Sequence, residues 1–121
     1  MRPEHMRVYQ AVRELGLEVD RIIAVLPPAC RKIADHLERS CESVGLNLNE
    51  GLTAFKPRVK ANAFDIARRE AAEVRKALQR AADKQGVHPD AVKRADQLGT
   101  AIIGMLTVMI KQQEKRETSE V

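Results

Sequence analysis

The sequence predicts an all-α protein, an antiparallel up-down-up-down four-helix bundle that assembles as a homo-oligomeric ring. Three observations predict the bundle. Apolar residues recur at steps of three and four along most of the chain. No run of four or more residues alternates as a half-buried strand would. Pro3, Pro27, Pro28, Pro57 and Pro89, with Gly51 and Gly86, cut the 121 residues into four segments joined by short connections. Such a pattern reads as one domain over residues 1–121, with neighbouring helices packed side by side.

The first helix is expected over residues 4–26. Val8, Val12, Leu15, Val19, Ile22, Ile23 and Leu26 form one stripe, and Pro27-Pro28 stops it. The second is expected over 28–51, with Cys30, Ile33, Leu37, Cys41, Val44 and Leu48 facing inward and Gly51 standing where a C-cap belongs. The third, 57–85, opens on Pro57 and ends before the turn at Gly86. The fourth, 89–115, opens on Pro89 and leaves a polar, frayed tail over 117–121.

Composition removes several classes. Hydrophobic residues make up 44% and charged residues 31%, as in ordinary soluble chains. With one Tyr, two Phe and no Trp, the chain lacks the rings that stack on single-stranded bases. No apolar run reaches the ~20 residues of a membrane span, and the N-terminus has no signal-peptide core. Cys30 and Cys41, if they share a helix, stand about 16 Å apart along its axis, too far to bridge. Reduced thiols and a cytoplasmic location are expected.

The third segment carries the basic excess. Between Lys56 and Lys84 stand nine basic and four acidic residues, whereas the rest of the chain is nearly balanced. On a helical wheel Arg58, Arg69, Lys76 and Arg80 share a stripe opposite the apolar arc, with Arg68 and Arg75 on one flank. These six are the candidate nucleic-acid-binding residues, because Arg and Lys neutralise phosphates and release counterions. The alternative is a solvated face laced by i, i+4 pairs such as Asp65 with Arg69.

The fourth segment supplies the oligomer candidate. No charge occurs from Gly99 to Ile110. Ile102, Met105 and Met109 lie on one face, and Ile103, Leu106 and Ile110 on the next. A bundle seam that takes one face leaves the other for a second copy. These six are the expected oligomer interface, and Gly99 and Gly104 permit close helix approach. The alternative is a wide core face within one chain.

No catalytic, cofactor or metal constellation stands out. His5, His36 and His88 lack the Glu-x-x-His spacing of di-iron bundles, and no Cys/His set has zinc spacing. Gly99 and Gly104 are followed by no Lys-Ser/Thr of a phosphate loop. The expectation is a non-enzymatic protein without cofactor. A polar cluster, Ser40, Ser43, Asn47, Asn49 and Glu50, precedes Gly51 and reads as hydrogen bonding that fixes the helix end. Glu70 falls inside the apolar arc of the third helix, as an interface or paired carboxylate.

At this cluster a resemblance enters. Ser43-Val-Gly-Leu-Asn47-Leu-Asn49-Glu50-Gly51 resembles the Ser-Ile-Pro-x-Asn-Ile-Ala-Glu-Gly signature of the 23S rRNA intervening-sequence protein family. Phe64-Asp-Ile-Ala-Arg68-Arg69-Glu70-Ala-Ala-Glu73-Val resembles that family's Phe-x-x-Ile-Ala-Arg-Gly-Ser-x-x-Glu-Leu segment, with one residue fewer between Phe64 and Ile66. Val8-Tyr9-Gln10 and the Gly86 turn also fit, so the resemblance covers roughly residues 6–112. Departures are Gly45 for Pro, Asn49 for Ala, and Arg69-Glu70 for Gly-Ser. The family is similar in fold to the accessory variability determinant of diversity-generating retroelements, a basic pentameric bundle that works with a reverse transcriptase and its RNA. The resemblance therefore implies a four-helix bundle and a homopentamer. It implies a partner that is RNA or DNA only loosely, the alternative being a protein scaffold or accessory subunit. Ser43, Asn47, Glu50, Gly51, Arg68 and Glu73 match family positions and are read as architectural.

Overall fold

A computed structural model describes residues 2–84 and 86–119. Four long helices form, α1 (Pro3–Val25), α2 (Arg31–Thr53), α3 (Pro57–Ala82) and α4 (Pro89–Ser119), and one 3-10 turn, Pro28–Cys30, precedes α2. There is no strand among the described residues. Three of the helices begin on proline, whose fixed φ suits the first turn and whose missing N–H costs nothing there. Leu26, the residue before Pro27, is extended and ends α1, as the Pro ring requires of its predecessor. Gly86 has φ of 90° and is the one positive φ among the described residues. It turns the chain from α3 towards α4 without the strain a Cβ would bring.

Both ends of α2 move, α3 ends at Ala82 instead of 85, and α4 runs past 115 to Ser119. Gly51 does not cap α2; the helix continues to Thr53. Gly51 is instead a close-approach residue. A Cβ there would lie 2.5 Å from Cδ1 and 3.1 Å from Cζ of Phe64. At its other end α2 starts at Arg31, because Pro28–Cys30 winds as a 3-10 turn. Gln85 and residues 120–121 fall outside the described residues; the part of the tail within them, 117–119, is helical.

The helices pack in cyclic order, each on its two chain neighbours, with α4 closing on α1. Contact is far more extensive along α3 than along α1. The sequence explains this. Alanine fills five of the buried positions of α3, namely Ala63, Ala67, Ala71, Ala77 and Ala81, and small side chains let helix axes draw together. Larger side chains, Leu15, Ile22, Leu37, Leu48, Phe64, Leu78, Ile102 and Leu106, fill the centre and are almost wholly buried.

The α4 expectation needs correction. Ile102, Leu106, Met109 and Ile110 are buried within the single chain, so they are core residues. Of the six, Ile103 and Met105 remain half-buried at the edges. The reason is that α4 packs against two neighbours at once, α1 and α3. Thr100, Ala101, Gly104 and Val108 form the outward face.

Candidate nucleic-acid interface

The α3–α4 seam sorts the six basic candidates. Arg68 donates from Nη2 to Asp65 Oδ1 at 2.6 Å and from Nη1 to Thr107 Oγ1 at 3.3 Å. Arg75 donates from Nε to Asp96 Oδ1 at 2.8 Å and from Nη2 to Oδ2 at 3.4 Å. That fork geometry is the stronger kind of ion pair, and it holds the Arg75 guanidinium charged. Gly99 makes it possible: a Cβ there would stand 3.0 Å from Arg75 Cγ. Arg68 and Arg75 are thus clasps between helices, which takes them out of the phosphate-binding set.

The other four point outward. Arg69 and Lys76 are exposed and meet Asp65 Oδ2 at 3.4 Å and Glu73 Oε1 at 3.3 Å. Exposed pairs on one helix are worth about 0.3–0.5 kcal/mol, little enough for a phosphate to displace the carboxylate. Arg58 and Arg80 are exposed and make no ion pair among the described residues. From Arg58 to Arg80 the stripe spans about 33 Å of helix. A neighbouring groove of about 730 Å³ holds Arg58 and Arg68 together with Asp65, Glu114 and Glu117. Its carboxylates outnumber its guanidinium groups, so an anion is favoured on the stripe and not in the groove.

The signature residues lie along the α2–α3 seam. Asn47 Nδ2 donates to Ser43 O at 2.9 Å and to Ser43 Oγ at 3.1 Å. This back-bonding ties the polar run to its own helix. Glu73 reaches across to His36 Nε2 at 3.5 Å. Glu50 is exposed and has no ion-pair partner among the described residues. Glu70 is half-buried on the same helix.

Sequence reasoning missed Lys60. Its Nζ donates to Gly51 O at 2.8 Å and to Leu52 O at 3.2 Å, satisfying carbonyls at the end of α2. The available signal was the lack of any glycine after Thr53, which leaves those carbonyls in need of a donor. Burial, with Arg116 and Arg2 nearby, lowers the Lys60 pKa. Glu18, also missed, is buried on α1 and held by Arg21 Nη1 at 2.8 Å and by Arg94 Nε of α4 at 3.4 Å.

Cys30 and Cys41 are free thiols, and burial pushes Cys41 up to about 11. No group of three or more His, Cys, Asp or Glu among the described residues could hold a metal ion. No helix among them is long and apolar enough to cross a membrane.

The profile of the family described as 23S rRNA-intervening sequence protein matches residues 4–108. The chain is similar in fold to the crystal structure of a protein with unknown function from the S23 ribosomal protein family of Bacteroides thetaiotaomicron VPI-5482. The two share 20% sequence identity at a TM-score of 0.79, over 89% of this chain and 98% of that one. Among curated proteins none matches the chain.

Proposed function

The chain belongs to the 23S rRNA-intervening sequence protein family, and from its surface we propose that it is a non-enzymatic, homo-oligomeric bundle, pentameric as its family resemblance implies, that binds RNA or DNA backbone. The observation that carries this is the outward stripe Arg58, Arg69, Lys76 and Arg80, two of whose members make no ion pair among the described residues. The stripe has no ring and no base-reading element, so it grips phosphates with little sequence preference. Repetition of the stripe in an oligomer adds the fields of several copies.

The up-down-up-down topology belongs to the same reading. It is supported by the reversed order of contacts along the α3–α4 seam: as α3 advances from Arg68 to Arg75, the partners retreat from Thr107 to Asp96. The non-enzymatic reading is supported by the use of Arg68 and Arg75 as clasps between helices. A cytoplasmic location is supported by two unbridged thiols in or near the core.

Fluorescence anisotropy with a labelled single-stranded RNA, titrated in rising salt, tests the interface. Four phosphate contacts predict a slope of about −2.8 in log K against log salt, a loss of roughly 50-fold between 50 and 200 mM. No binding at 50 mM salt rejects the reading.

A further inference from the structure

We propose that Phe55 is a knob by which one copy of the chain holds the next, seated in the neighbour's pocket between α1 and α4. The proposal rests on the homo-oligomeric reading above and specifies the contact that makes the assembly.

Phe55 is one of two phenylalanines, and it is 93% exposed. A ring left in water gains from burial wherever an apolar pocket of its size takes it. Its mounting is stiff. It stands in the short link between α2 and α3. Ala54 N–H donates to Glu50 O at 3.0 Å before it, the Lys60 ammonium pins Gly51 and Leu52, and Pro57 fixes the backbone after it. A ring presented this way loses little conformational freedom when it is buried.

The same chain carries a matching hole. A pocket of about 210 Å³ lies between α1 and α4, lined by Glu4, Arg7, Met105, Val108, Met109 and Gln112. Its apolar lining is two thioethers and a valine, a surface that takes an aromatic ring well. Val108 is 55% exposed. The charges at the rim complement those around the knob. Lys56 adjoins Phe55 and Glu50 lies in the last turn before it, while Glu4 and Arg7 border the pocket. Lys56, Glu50 and Arg7 make no ion pair among the described residues, which leaves each available for a neighbour.

Knob and hole lie on opposite sides of the cyclic helix order, the first between α2 and α3, the second between α1 and α4. Both belong to the level where α1 and α3 start and α2 and α4 end. A contact of this kind is heterologous: it closes into a ring where the rotation from copy to copy completes a circle, and it runs on as an open filament where it does not.

The test is sedimentation velocity and light scattering on the full chain and on Phe55→Ser and Val108→Asp, with circular dichroism melts confirming that each variant folds. Each variant alone is expected to weaken association by about 30-fold, as loss of a central aromatic anchor does. Mixed in equal amounts, the two are expected to form a dimer and nothing larger, since only one intact knob and one intact hole remain. Lys56→Glu is expected to weaken association and Glu4→Lys in the same chain to restore it. A full chain that assembles while both single variants assemble equally well overturns the proposal and leaves the homo-oligomer standing. A full chain that stays monomeric overturns both.

Discussion

Replacing Gly51 by alanine puts two structural effects in direct opposition. Gly51 lies inside α2, two residues before its end. Helix propensity alone favours Ala over Gly by about 1 kcal/mol, so a surface reading predicts a more stable protein. The packing says otherwise. The new Cβ would collide with Cε1 and Cδ1 of Phe64, and Phe64 is 1% exposed, so its ring has nowhere to go. Overpacking of this kind costs about 1–3 kcal/mol. With the clash on two ring atoms we take the upper part of that range, which leaves a net loss of about 1–2 kcal/mol. For a domain of this size that lowers the melting temperature by roughly 4–8 °C. The assay is a thermal melt followed by circular dichroism at fixed protein concentration, since self-association would otherwise shift the midpoint. Phe64→Leu supplies the control: it removes the ring atoms, so Gly51→Ala should cost much less in that background. An unchanged or raised melting temperature for Gly51→Ala would refute the close-approach account. The same account gives a physical reason for the glycine that closes the Glu-Gly signature.

Four further outcomes follow from the charged and titrating groups. Arg58→Gln and Arg80→Gln should each flatten the salt slope by about 0.7 for single-stranded RNA while leaving the melt unchanged. Arg75→Gln should leave the slope alone and cost about 0.5–1 kcal/mol, because the Asp96 pair it breaks is only part-exposed and partly screened. His5 has its pKa lowered from 6.5, chiefly by burial, so the unfolded chain takes up its proton first. Stability should therefore fall as pH drops from 6.5 through the folded value, and the His5 resonance should titrate below 6.5 by NMR; a midpoint at or above 6.5 contradicts this. Cys41, raised to about 11, should resist iodoacetamide at pH 8 in the folded chain and react freely in denaturant; equal rates in the two states would count against its shielding.

Helix number and helix placement were legible because prolines punctuate the chain and the apolar spacing is regular. The outward stripe was legible for a similar reason, since a helical wheel fixes which side chains oppose the core. What the wheel could not give was the register between helices. Arg68 and Arg75 lie on the flank of the stripe, and only the position of Thr107 and Asp96 on the adjoining helix decides that they are clasps. The apolar girth of α4 misled for a related cause. Covering by two neighbours at once cannot be read from one helix, so Ile102 and Leu106 looked available when they are interior. Gly51 misled because a glycine near a helix end fits both a cap and a close contact. The choice depended on Phe64, thirteen residues away in the next helix.

The uneven seams of the bundle have a consequence for how it comes apart. Because α1 is joined to its neighbours less extensively than α3 is to its own, the first cooperative opening should be the release of α1, with the remaining three helices held as one unit. The hinge for that release is the Pro27-Pro28 break. An opened α1 exposes Val8, Leu15, Val19 and Ile22, a stripe that a neighbouring copy in the same state could accept. Exchange of this helix between subunits would then compete with the closed form at high protein concentration.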